Sequence, residues 1–279
     1  MKTIKILSAI LFLLSGAVAA EVGADVLLYY APVDYSDNSF RKDGNTMGIY
    51  GAYRSASGYV WEGAVENTRL RYQAGTDLDQ TDITLALTRH WQSSHAYRFG
   101  FHAISSDDDN TDKGFTLFAG YNRYHPYDDS FGGSLYYTHY PNIDLHVWQA
   151  VPSVGIYLGN PIITGTFFIQ GKLNLIAIDG NQDDNTYFSA EGEMSWTYES
   201  LSLTLGAWSG TQICAVRNDG FSVYNLPEKY SGGVKFKAGY ALTDNTSLSV
   251  GVALDQMSEN TDEADVDVMT YNLSLGHRF

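Results

Sequence analysis

Apolar and polar residues alternate one by one along most of this chain, most clearly at its C-terminus. Met269, Tyr271, Leu273, Leu275, His277 and Phe279 fall on one face of an extended segment, and Thr270, Asn272, Ser274, Gly276 and Arg278 on the other. Successive side chains of a β-strand point to opposite sides, so a period of two marks a strand with one apolar and one polar face. The two preceding segments repeat it. Leu248, Val250, Val252 and Leu254 oppose Ser247, Ser249, Gly251, Ala253 and Asp255; Val234, Phe236, Ala238 and Tyr240 oppose Lys235, Lys237 and Gly239. Followed to the N-terminus, the pattern predicts fourteen strands, at 24–33, 45–55, 58–72, 80–91, 95–105, 113–124, 130–140, 143–157, 162–178, 185–198, 201–213, 229–241, 246–257 and 266–279. Two are weakly marked. Pro152 interrupts 143–157, as at a bulge or strand end, and the alternation of 201–213 fades after Trp208. Twelve strands is therefore the alternative count.

The connections alternate too. One set is short, at 56–57, 93–94, 159–161, 200 and 243–245; the other is mostly longer and acidic, at 34–44, 107–110, 179–184, 214–228 and 258–265. An even count puts both termini on the short-turn side, and one missed strand would break that parity. No linker, low-complexity tract or repeat longer than the hairpin interrupts the series.

Composition changes the picture in two ways. The chain is rich in tyrosine (21) and glycine (27) and poor in proline (6), which suits many short strands with aromatics at membrane interfaces. Its first residues carry an export signal: Lys2 and Lys5, a short apolar run from Ile6 to Leu14, then small residues to Ala20. Residues 1–20 are read as a signal peptide and 21–279 as one domain. No second long apolar run follows, which excludes a helical membrane protein. Cys214 is the only cysteine, so no intrachain disulfide forms, and none at the cleavage point directs lipid anchoring. Loss of Lys2 and Lys5 takes the net charge from -15 to -17, which argues against nucleic acid as a partner. Export, alternation and parity together predict an all-β, transmembrane, antiparallel up-and-down barrel, its apolar faces on lipid and its polar faces inward.

The last nine residues, 271–279, resemble the C-terminal signal of bacterial outer-membrane β-barrels. In that family alternate apolar positions and a final phenylalanine are read by the barrel-assembly machinery; Tyr271, Leu273, Leu275 and Phe279 match, and His277 stands where an aromatic is more usual. The resemblance implies a bacterial outer-membrane location. Its short turns would face the periplasm and its acidic loops the exterior, with lipid and lipopolysaccharide as surroundings. Size and strand count are similar to porin-like, monomeric, fourteen-stranded channels of the OmpG type, an analogy of architecture. Fatty-acid transporters of the FadL type carry an N-terminal plug, which is not expected here, and TonB-dependent transporters are larger.

Alternation also predicts which charges face inward. The pore-lining candidates are Arg54, Glu62, Glu66, His90, Arg98, His102, Lys172, Glu191, Glu193, Lys235, Lys237 and Arg278, with Asp25 as a further acid. An Arg or Lys on the lipid face near mid-bilayer costs about 2–4 kcal/mol, so inward is the cheaper placement. A mixed-charge lumen of this width suits passive passage of small polar solutes, because more than eight strands leave an interior that side chains do not fill. The long loop 214–228 is a candidate gate that folds inward. The alternatives are a non-conducting structural or adhesion barrel acting through its loops, and an outer-membrane enzyme modifying lipid or polymer. For the last, His139, His146, Ser134, Ser153 and Asp144 lie in one region, but no nucleophile elbow or metal-ligand spacing surrounds them. Asp107, Asp108, Asp109, Asn110 and Asp112 are oxygen-rich yet lack the glycine and glutamate of a calcium loop, and read as a solvated loop. The clusters 121–127 and 136–140 read as interfacial aromatics. No cofactor or metal is implied.

Overall fold

The computed structural model describes residues 22–36, 39–91, 94–125, 128–180, 185–223, 228–258 and 265–279. The signal-peptide expectation for 1–20 lies outside them. The chain forms β1 (Gly23–Tyr35), β2 (Arg41–Arg54), β3 (Tyr59–Tyr72), β4 (Leu78–Trp91), β5 (His95–Ser106), β6 (Phe115–Tyr124), β7 (Asp129–Tyr140), β8 (Leu145–Asn160), β9 (Gly165–Gly180), β10 (Asn185–Tyr198) and β11 (Leu201–Gln212). A two-residue pair follows, β12 (Val216–Arg217) and β13 (Ser222–Val223), and then β14 (Lys229–Ala241), β15 (Thr246–Ser258) and β16 (Val266–Arg278). Fourteen of these close into one antiparallel barrel in which each strand pairs with its sequence neighbours and β16 pairs with β1. The twelve-strand alternative is excluded.

The weakly marked strands are instructive. β8 is continuous through Pro152, which faces outward opposite Gly133 of β7. Pairing with β9 lapses at Val151 and Pro152 and resumes in the same register at Ser153, so the missing N–H interrupts the ladder without a bulge. The fading of β11 is a true irregularity: its register with β14 shifts between Ser209 and Gln212. The long-loop end is also more ordered than the loop boundaries suggest. β1 and β2 extend until Asp34 pairs with Asp43, shortening the first acidic loop.

The outer face carries Leu28, Ile49, Leu85, Phe99, Leu117, Leu135, Val154, Leu205, Val250 and Leu273, all exposed. In water this would forfeit about 1.5–3 kcal/mol per side chain. In a bilayer it is the lipid belt. Tyr53, Tyr59, Trp61, Trp91 and Tyr97 rim it at the short-turn end, and Tyr137, Trp148 and Phe188 at the long-loop end. The packed core lies inside the barrel. Leu27, Tyr29, Tyr50, Ala64, Phe118 and Tyr136 project from the wall onto Val216 and Phe221, which belong to the segment between β11 and β14.

Candidate functional site in the barrel interior

Because facing residues of an antiparallel pair share a side, the register fixes the inward set. Asp25, Leu27 and Tyr29 of β1 face Ala52, Tyr50 and Gly48 of β2, and the series continues round the wall. All twelve predicted inward residues, and Asp25, fall on this face, in three groups. At the short-turn end Asp25 binds Arg54 and, at 3.4 Å, Arg278. Beside it Glu62 pairs with Arg98 and accepts a 2.7 Å hydrogen bond from Tyr50, while His90 Nδ1 lies 3.3 Å from the Tyr124 hydroxyl. On the far wall Lys235 pairs with Glu193 and, at 3.2 Å, with Glu191; Lys172 faces Glu191 in the ladder and Lys237 is the next inward residue of β14. Nearer the long loops, Glu66 and Asp82 stand together. Asp82 accepts two 2.9 Å bonds from Gln80, and His102 Nδ1 meets Thr84 at 2.7 Å. Tyr271, Leu273, Leu275 and Phe279 all point outward and are exposed.

After β11 the described part of this segment, Ile213 to Val223, does fold inward. Its departure is built into β11. Gly210 adopts φ +108, and a Cβ there would lie 2.4 Å from the Phe188 carbonyl oxygen, so only glycine makes the bulge that turns the chain into the lumen. The hairpin β12–β13 follows, joined by a 3-10 turn at Asn218–Gly220. Asn218 and Asp219 both hold positive φ there, which these two residue types tolerate. The hairpin is fastened on opposite sides of the ring. On β8 the Gln149 amide takes the Val216 N–H at 2.7 Å and donates to its carbonyl at 3.0 Å, replacing a missing strand neighbour. Across the lumen Phe221 packs edge-on against Tyr50 at 5.5 Å, under Arg98. Arg217 lies over the Trp208 ring at 4.5 Å. Where the segment rejoins the wall, Glu228 pairs with Arg41 of β2; the two side chains are 5% and 1% exposed.

The hairpin occupies one side of the lumen. Beside it remains a cavity of about 230 Å³, flanked by Arg41, Glu66 and Asp82 on one wall, by Lys235, Lys237 and Glu193 on the other, and by Arg217 of the hairpin. Glu66 Oε1 is buried there without a hydrogen-bond partner among the described residues. Asp82, Arg41 and Gln149 belong to this interior and were missed from the sequence. Asp82 was readable, since Gln80, Asp82, Thr84 and Ala86 alternate with Thr81, Ile83 and Leu85. Arg41 and Gln149 were not, because their partners lie 187 and 67 residues away.

The residues grouped for catalysis separate. Ser134 and Ser153 face inward, whereas His139 and His146 face outward on the same two strands. The tyrosine clusters split by the same alternation. Tyr121 and Tyr137 face lipid, Tyr124, Tyr136 and Tyr140 face the interior, and Tyr127 lies outside the described residues. Three carboxylates of 107–112 accept backbone bonds: Asp108 Oδ1 takes the Asn110 N–H at 2.9 Å, Asp112 Oδ1 that of Ser106 at 3.2 Å, and Asp107 Oδ1 that of Asp79 on β4 at 2.9 Å.

A closed fourteen-stranded barrel with an apolar belt outside and paired charges inside is an outer-membrane β-barrel, and the bacterial outer membrane is where such a belt finds lipid. Within that class the chain is a barrel whose connection between β11 and β14 enters the lumen, as its described residues show. Solved structures of the class match it over nearly its whole length. A bacterial polysaccharide outer membrane secretin matches with a TM-score of 0.59 at 8% identity, over 92% of this chain and 98% of that one. The toluene transporter TbuX of Ralstonia pickettii matches at 0.57 and 9%, over 95% and 90%. The outer membrane protein Omp33 of Acinetobacter baumannii matches at 0.50 and 12%, over 92% and 99%. At these identities the likeness is one of fold. No protein-family model matches the sequence, and no curated protein matches it.

Proposed function

We propose that this barrel is a monomeric channel for passive passage of small hydrophilic solutes, with the hairpin β12–β13 as its constriction. The observation that carries the reading is the cavity beside that hairpin, flanked by Glu66 and Asp82 on one side and by Lys235, Lys237 and Arg217 on the other. Opposite charges across a narrow path set up a transverse field that favours polar and ionic solutes over apolar ones. An aromatic hydrocarbon, the cargo named for TbuX, suits this interior poorly. Desolvating it would bring no polar contact to the buried Glu66 Oε1, which has no hydrogen-bond partner among the described residues. In planar bilayers the purified barrel is expected to open in discrete conductance steps, and replacing residues 215–223 by a short Gly-Ser turn should enlarge each step. Folded protein that stays silent at every voltage, with and without the hairpin, would remove the channel reading.

A further inference from the structure

We propose that His139, Asp144 and His146 form a site for a divalent transition-metal ion on the outer surface of the barrel, at the long-loop rim. The two histidines are directly opposed across β7 and β8, both pointing outward. Their rings stack with centroids 4.3 Å apart and planes 7° from parallel. Asp144 closes the connection between the strands with φ 49, a left-handed conformation that aspartate tolerates. Its Oδ1 lies 3.5 Å from His146 Nε2, and one donor atom from each of the three residues falls within 4.8 Å of the others.

The dimensions fit a tetrahedral ion. Metal–donor bonds of about 2.0–2.2 Å give donor–donor edges of roughly 3.3 Å. The Asp144–His146 edge is already near that length; a shift of the exposed Asp144 side chain brings it to His139, and the edge between the histidines closes when their stacked rings turn towards each other. A partner that fixes the His146 ring is also in place. The Tyr137 hydroxyl engages His146 Nδ1 at 2.8 Å, which orients the ring and leaves Nε2 towards Asp144. Metal-binding histidines are characteristically held through their other nitrogen in this way. By contrast His125, which neighbours Asp128 and Asp129 at the other end of the barrel, has both ring nitrogens engaged, by Asp129 at 2.5 Å and by Arg123 at 3.0 Å. It offers no free donor.

Two imidazoles and one carboxylate select zinc, copper or nickel over calcium or magnesium, which take oxygen ligands. The position is reachable from water. Tyr137 and Trp148, the facing pair one row nearer the membrane centre, mark the aromatic girdle. The histidines lie two residues, about 7 Å, beyond it. The backs of the same strands line the interior, so the site and the lumen are separate.

The test uses the untagged, full-length barrel in detergent, titrated calorimetrically with zinc chloride. One ion per barrel is expected, undisturbed by excess magnesium. His139→Gln and His146→Asn should each abolish it, and Tyr137→Phe, which keeps the ring and loses the hydroxyl, should weaken it roughly tenfold. Copper should quench Trp148, whose indole lies tilted 4.6 Å from the Tyr137 ring, and that part of the quenching should vanish in Trp148→Phe. No zinc binding, binding retained in both histidine variants, or equal competition by magnesium would overturn the site. Conductance should be unchanged in the histidine variants, so a failed metal site leaves the channel reading untouched, and the reverse.

Discussion

The Arg41–Glu228 pair shows how much one interaction can hold. Both side chains are almost wholly buried, and Phe40, Tyr35 and Tyr72 lie within 5.1–5.9 Å of the guanidinium. Removing one partner of a buried pair strands the other charge, at a cost of about 3–5 kcal/mol, whereas replacing both by apolar groups is often neutral. Arg41→Leu should therefore lower the urea midpoint of the barrel in detergent and free the hairpin for proteolysis. The double variant Arg41→Leu/Glu228→Leu should recover most of the loss. If the double variant is no better than the single one, the pair is not what fastens this end of the segment. Such a contact is invisible in the sequence, because nothing local to Glu228 announces a partner on β2. The inward charges on strand centres were legible for the opposite reason. A period of two assigns Glu62, Lys172 or Lys235 to a face without any knowledge of what stands across the lumen.

Among the elements, the hairpin β12–β13 is the one that departs from the barrel plan, and its tip is fitted to the opposite wall. Gly220 holds φ +93, and an added Cβ would lie 2.4 Å from the Phe118 ring. Gly220→Ala is expected to lift the tip from β6, and single-channel recordings should show larger and noisier conductance than the parent. A closed, quiet channel in that variant would mean that the tip does not set the constriction. The inward fold of this segment could be raised as an option from its length alone, but not its path. The glycine of the bulge, the Gln149 clamp and the Phe221 contact act across the barrel, where periodicity carries no information. Pro152 is the converse case. It reads as a break, yet β8 runs through it, because pairing with β7 on one side and in-register pairing with β9 on either flank outweigh one missing donor.

At the scale of the whole molecule, charge is distributed along the axis as well as across it. The long-loop end carries Asp34, Asp43, Asp77, Asp79, Asp107, Asp108, Asp109 and Asp112, with Arg69 and Arg71 largely engaged by Asp79 and Asp43. The short-turn end is mixed, carrying Arg54, Arg89, Arg123 and Arg278 as well as Asp25, Asp128, Asp129, Glu199 and Asp244. A channel with an acidic mouth concentrates cations there and repels anions, over a distance set by screening. The Debye length is about 10 Å at 0.1 M salt and about 3 Å at 1 M, so the rim acts on passing ions at the lower concentration and is nearly silent at the higher. Reversal potentials in potassium chloride gradients should thus show cation preference near 0.1 M that shrinks towards 1 M. The triple change Asp107→Asn/Asp108→Asn/Asp109→Asn separates charge from structure. An asparagine side-chain oxygen still accepts the backbone bonds that Asp107 and Asp108 now take from Asp79 and Asn110, so the loop keeps its turn while losing three negative charges. The preference at low salt should fall in this variant, with single-channel conductance at 1 M unchanged. A selectivity indifferent to both salt and the triple change would place the cation-selecting charges inside the lumen, at Glu66 and Asp82, and anion preference in the parent would place them at Lys235, Lys237 and Arg217.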